Sequence, residues 1–162
     1  MIYILLGSNM GDRAAYLAEA QSRIHEIVPV QRASRIYESA AWGNEAQASF
    51  LNQVLEAKPS ALSPESLLKA CQSIELALGR ERKEHWGARC IDIDLLYIGS
   101  LQYQSPVLQI PHPYIAQRRF TLLPLCELVP DFIHPTLHKS QSTLLAECSD
   151  SLAVWPWEGG LS

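Results

Sequence analysis

Apolar residues come along this chain in two rhythms. Ile2 to Leu6 is an unbroken apolar run, too short for a helix and closed by the turn-rich Gly7-Ser8-Asn9-Met10-Gly11-Asp12, so it reads as a buried strand. From Arg13 to Val28 the spacing changes: Leu17, Ala20, Ile24, Ile27 and Val28 recur at helical intervals, and Pro29 ends the run. Val30 to Tyr37 and Phe50 to Ala57 predict two more strands, separated by Glu38 to Ser49, a long connection in a compact domain and therefore a candidate binding loop around Trp42. A second helix is marked by Ser63 as N-cap, Pro64 in the first turn, the apolar set Leu67, Leu68, Cys71, Ile74 and Leu78, and Gly79 at its end. The last clear strand is Ile91 to Ile98. Strand, helix, strand, strand, helix, strand is the split βαβ order, which predicts an α+β, ferredoxin-like βαββαβ core: an antiparallel sheet with both helices on one face. A C-terminal extension follows, extended over Pro106 to Pro113 and helical over Arg118 to Leu128 with a break or start at Pro124. Beyond Pro130 the pattern fades, and Trp155 to Ser162 is expected to be a loose tail.

The strand Ile-Asp-Ile-Asp-Leu-Leu-Tyr-Ile carries the candidate chemistry. Its two-residue period sends Asp92 and Asp94 to one face, with Ile91, Ile93 and Leu95 on the other. Adjacent carboxylates repel unless a cation sits over them, and hard oxygen ligands with open positions suit Mg2+ together with substrate phosphates. Arg80, Arg82, Lys83 and Arg89 precede the pair and can grip the same phosphates. The stretch reads as a magnesium-nucleotide site. By the same period Cys90 falls in phase with the aspartates, as a small strand residue rather than a nucleophile. Gln72 and Glu75, three apart, share a helix face just upstream; read alone they form a solvated surface. Gly7 to Asp12 matches neither a Walker A nor a dinucleotide fingerprint and reads as a structural turn.

Composition narrows the partners. A chain of 162 residues with a formal charge of -4 is expected to form one domain, 1–162, without the broad basic field that general nucleic-acid or membrane binding requires. Four cysteines without metal spacing, and no apolar run long enough for a leader or span, point to a reducing, cytoplasmic setting.

Four segments, in order, identify the chain as similar to the 6-hydroxymethyl-7,8-dihydropterin pyrophosphokinases: GSNMGDR, Phe50-Leu51-Asn52, GRERKEHWGARCIDIDLL and PHPYIAQRRFTLLPLCELVP. The resemblance runs from Gly7 to about Pro130. It implies transfer of a pyrophosphoryl group from ATP to the pterin alcohol, with Asp92 and Asp94 holding two Mg2+ ions. Arg80 and Arg89 would then be catalytic, while Gln72, Glu75, Arg82, Lys83, Trp86, Arg89, His112 and Arg118 would meet ATP. The pterin would lie between Phe50 and Phe120, near Asn52, Ser39, Ala40 and Trp42, under Trp86. Loops flanked by Gly43, Gly79 and Gly87 are expected to close over the substrates. The implied partners are these two small molecules, with no nucleic acid or membrane, and a monomer. Two rivals remain from the residues alone: another two-metal nucleotidyl- or phosphotransferase, and a non-catalytic ferredoxin-like nucleic-acid binder.

Overall fold

The computed structural model describes residues 1–41, 46–79 and 90–159. The chain runs β1 (Ile2–Ser8), α1 (Arg13–Ile27), β2 (Val30–Ala33), β3 (Tyr37–Ser39), β4 (Phe50–Ala57), α2 (Pro64–Ala77) and β5 (Asp92–Ile98). A small hairpin of β6 (Tyr103–Gln104) and β7 (Gln109–Ile110) follows, then α3 (Arg119–Leu128), α4 (Gln141–Glu147) and β8 (Val154–Pro156). The main sheet is antiparallel, ordered β5-β1-β4-β3-β8, with β2 also paired to β4. Its β1–β5 part is the ferredoxin-like order expected from the sequence.

Every residue of β1 is buried, as a strand must be when both sheet faces are covered. Ile4 and Leu6 pack with Leu51, Leu55, Ile93 and Leu95 under Leu17, Ala20 and Ile24 of α1 and Leu67, Cys71 and Ile74 of α2. On the opposite face Tyr3, Leu5, Val54 and Leu96 pack against Leu122 and Leu125 of α3 and Leu144 of α4. The C-terminal extension is thus a second helical layer. Tyr97 joins this second cluster although strand alternation assigns it to the first. The register skips from Tyr3↔Tyr97 to Ile4↔Leu95, a bulge that lets Leu96 and Tyr97 both serve the α3 side.

The helices start where their capping chemistry directs. Asp12 accepts a hydrogen bond from Ala15 N, and Ser63 accepts one from Ser66 N with Pro64 in the first turn. Gly79 closes α2 at φ 95°, a left-handed conformation that costs glycine little. Ile27, assigned to the buried stripe of α1, is exposed at the last helical turn; Val28 is buried in its place.

Two expectations need correction. The strand expected over Val30 to Tyr37 is two strands, because Ala33 pairs with Leu55 while Tyr37 pairs with Asn52, leaving one residue too many. Ser34 covers the break: its N–H donates to Val54 O at 2.9 Å and its Oγ accepts from Val54 N at 3.0 Å. The second correction concerns the loose tail. Val154 to Pro156 extends the sheet beside β3, and Trp157 N donates to Ile36 O at 2.9 Å. These backbone pairs leave no mark in side-chain periodicity. No helix among the described residues is long and apolar enough to cross a membrane.

Candidate active site

The floor of the site follows from sheet register. Gly7 in the middle strand stands opposite Asp92 on β5 and Asn52 on β4, and Leu5 stands opposite Asp94 and Val54. Directly opposed residues share a face, so Asp92, Gly7 and Asn52 form one row and Asp94, Leu5 and Val54 the next. Strands lie about 4.8 Å apart, so the outer members of a row are about 10 Å apart, with a bare glycine between Asp92 and Asn52. The result is a trough with carboxylates along one side.

Phe50, Phe120, Ser39, Ala40 and Arg118 complete a slot over this trough, together with Leu5, Gly7, Asn52, Asp92 and Asp94. Its enclosed volume is about 50 Å³, room for a few waters. Asn52 is 2% exposed, and its Nδ2 donates to Ser39 Oγ at 2.8 Å. That bond turns Oδ1 toward Gly7, where an added Cβ would meet it at 3.7 Å. Arg118, buried at the start of α3, holds its guanidinium carbon 4.7 Å from the Tyr114 ring centre and 5.5 Å from that of Phe120.

A second depression of about 350 Å³ adjoins the slot, lined by Leu68, Ile93, Asp94, Leu95, Gln104 to Gln109, His112 and Pro113. Asp94 lines both. His112 Nδ1 accepts from Tyr114 N at 3.2 Å, which leaves the proton on Nε2. Burial, aided by the positive charge of Arg118 and opposed by Asp92, pushes the imidazole pKa down to about 4, so the ring is neutral at pH 7. Glu75 is not the solvated helix residue that α2 read alone predicts. It is 3% exposed, and its Oε2 accepts from Ile93 N at 2.8 Å, between the two aspartates of edge strand β5. Gln72 lies half-buried one turn of α2 away.

Of the candidate residues, the slot brings together Ser39, Ala40, Phe50, Asn52, Asp92, Asp94, Arg118 and Phe120. Arg80, Arg82, Lys83, Trp86 and Arg89, with Trp42, Gly43 and Gly87, lie outside the described residues. Cys90 does not share the aspartates' face. It is packed among Ile91, Ile93 and Cys71 and donates to Leu78 O at 3.4 Å, because β5 begins only at Asp92 and the period does not extend back to it. Leu5 and Gly7 were missed as site residues. The signal was available in principle, since β1 must lie beside β5 in this fold and its odd positions then face the aspartates. Two histidines away from the site hold local structure: His25 Nδ1 accepts from Val30 N, and His134 Nδ1 from Thr136 N and Leu137 N.

Ferredoxin-like nucleic-acid binders read bases on an open sheet face. Here α3 and α4 pack on that face beside the slot, so fold and cleft define a different class, an α+β domain with a small cleft beside an acidic strand. Residues 3–130 match the family described as 7,8-dihydro-6-hydroxymethylpterin-pyrophosphokinase (HPPK), and the chain belongs to that family. It is 42% identical over 138 residues to the 2-amino-4-hydroxy-6-hydroxymethyldihydropteridine pyrophosphokinase of Aquifex aeolicus, covering 85% of this chain and 86% of the relative. The protein of the same name from Bacillus subtilis is 37% identical over 161 residues, 98% of this chain and 92% of the relative. Among solved structures, an HPPK-DHPS in complex with substrates superposes with a TM-score of 0.70 at 14% identity, over 90% of this chain, a likeness of fold. The chain spans 42% of that longer protein.

Proposed function

We propose that this chain transfers the pyrophosphoryl group of ATP to the hydroxymethyl oxygen of 6-hydroxymethyl-7,8-dihydropterin, giving AMP and the pterin diphosphate for folate biosynthesis. In this reading the aromatic slot takes the pterin and the adjoining depression takes ATP. The observation that carries it is Asp94, which borders both spaces and so stands where a phosphate chain from one would meet an alcohol from the other.

Each side chain then has a task suited to its surroundings. Asn52 Oδ1 accepts from the N–H edge of the pterin, because Nδ2 is committed to Ser39. Phe50 and Phe120 sandwich the ring, and the slot must widen to admit it. Neutral His112 donates Nε2–H to a phosphate oxygen, and Arg118 brings a fixed positive charge braced against Phe120. The carboxylates fit magnesium: they supply two hard oxygen donors from one strand face, and no third His, Cys, Asp or Glu among the described residues closes a cage around them. Asp92 and Asp94 would hold two Mg2+ ions, which neutralise charge on the phosphates when bound. Gln72, Glu75, Arg82, Lys83 and Trp86 keep the ATP-side roles implied by the family motif, Trp42 and Trp86 the pterin-side roles, and Arg80 and Arg89 meet the charge that develops on transfer. Glu75 acts through the backbone of β5. The described site residues come from β3, β4, β5, α2, α3 and the connections beside them, all parts of one fold, which supports a single domain.

The test is a phosphorus-31 NMR time course with ATP, Mg2+ and the pterin, run beside Asp94→Ala. AMP and a pterin diphosphate should appear together, and the variant should turn over at least about a hundredfold more slowly while binding pterin almost normally. Pyrophosphate in place of AMP would mean a nucleotidyltransferase. Near-normal turnover by the variant would remove the metal assignment.

A further inference from the structure

Arg13 opens α1 and lines neither the slot nor the depression, yet it bonds β3 and the residue just before β4, the two strands at the slot's rim. Its Nη1 donates to Glu38 Oε2 at 2.7 Å and to the carbonyl oxygen and Oγ of Ser49 at 3.2 Å each. Ser49 Oγ donates in turn to the same Glu38 oxygen at 2.7 Å. Glu38 immediately precedes Ser39 and Ala40, and Ser49 immediately precedes Phe50, so each partner is one residue behind a slot wall.

The register puts this cluster behind the sheet. Ser39 pairs with Phe50, and both face the slot; Glu38 pairs with Leu51, which packs beneath the α1 and α2 layer. Glu38 therefore points to the helix side, where Arg13 and Ser49 bond it, and none of the three lines the slot. The strand β3 is only three residues long and pairs with β4 and with β8 at three positions each. Asn52 Nδ2 bonds Ser39 Oγ on the slot side, so the Arg13 cluster supplies the matching side-chain tie between β3 and the start of β4 on the helix side. The Arg13 and Glu38 side chains are 27% and 18% exposed, sheltered enough for a shared cation to hold one geometry.

We propose that Arg13 is a positioning residue for the pterin: through Glu38 and Ser49 it sets the spacing of Ser39 from Phe50, and with it the grip of the slot. The inference rests on the slot being the pterin site. The depression is built from α2, β5 and residues 104–113, none of which Arg13 bonds, so its effect is confined to one substrate.

Steady-state kinetics on Arg13→Ala, Arg13→Lys and Glu38→Gln give the first readout. Arg13→Ala should raise the KM for pterin about tenfold, with the KM for ATP changed less than about twofold, because small displacements of a positioned ring are costly. Arg13→Lys should recover part of the loss, since an ammonium reaches Glu38 but cannot reproduce the fork to Ser49. Glu38→Gln keeps an acceptor and should give a smaller change of the same pterin-only kind, a usable result even if Arg13→Ala folds poorly. Equal rises in both KM values, or no change in either, would overturn the proposal. Amide hydrogen exchange on the ligand-free proteins supplies the second readout. In Arg13→Ala the amides of residues 39–41 and 49–51 should exchange about tenfold faster, with β1 unchanged. Unchanged rim exchange would overturn the positioning role, whereas faster rim exchange in a protein whose wild type does not bind pterin would sink the slot assignment and leave the clamp standing.

Discussion

Replacing Gly7 by alanine separates stability from binding by sending them in opposite directions. A Cβ there would meet Phe50 Cδ1 at 3.5 Å and Asn52 Oδ1 at 3.7 Å, ordinary van der Waals contacts that require no neighbour to move. The strand backbone at Gly7 suits any residue, so alanine mainly restricts the unfolded chain, a gain of about 0.4–1 kcal/mol. For a domain of this size that raises Tm by about 1–4 °C. The same methyl stands in the bare trough between Asp92 and Asn52, where the proposed pterin ring would rest. Lifting the ring by about 1 Å breaks its alignment with Asn52 and with the phosphate side, an error that can cost up to about a hundredfold. Thermal melting and a titration with the fluorescent pterin read the two effects separately. The expected pair is an unchanged or higher Tm with pterin affinity weakened by about ten- to a hundredfold. Affinity within twofold of wild type would show that the pterin does not lie on this trough. A fall of several degrees would refute the reading of the free space around Gly7.

Away from the site, Tyr3 donates to Glu56 Oε2 at 2.8 Å in a buried setting, and burial together with that carboxylate raises its pKa, so it stays a donor. Tyr3→Phe should lower stability by about 1.5 kcal/mol, because Glu56 keeps its two bonds to Arg32, and should leave turnover intact; an unchanged melting curve would count against a donor role for the hydroxyl. His112 makes stability depend on pH. Its folded pKa of about 4 lies below the unfolded value near 6.5, so as pH falls through that window the unfolded chain takes up a proton first and the fold weakens. The Tm lost between pH 7 and pH 5 should be smaller in His112→Asn than in wild type, and equal losses would acquit this residue.

How far the site could be read from the chain depends on which contacts it needed. Asp92 and Asp94 were legible as a pair because the two-residue period of a strand is a local property. Ser63, Pro64 and Gly79 marked α2 for the same reason, each acting on backbone groups within one turn. Phe50, Asn52 and Phe120, by contrast, lie tens of residues from the aspartates, and nothing in spacing joins them; only likeness to a family named them in advance. Cys90 shows the limit of local phase, since a period means nothing beyond the strand that enforces it.

The sequence by itself determined α1, α2, the strand segments of the βαββαβ core, their order and the side of β5 that carries charge. Tertiary structure alone decided that bare Gly7 separates Asp92 from Asn52, that α3 and α4 close the second face, that β8 extends the sheet, and that Glu75 turns inward to Ile93 N. The physical reason is range. Periodicity and capping act over a few residues and are written in them, whereas register and layer packing are settled between distant segments by the surface they bury and the backbone bonds they satisfy.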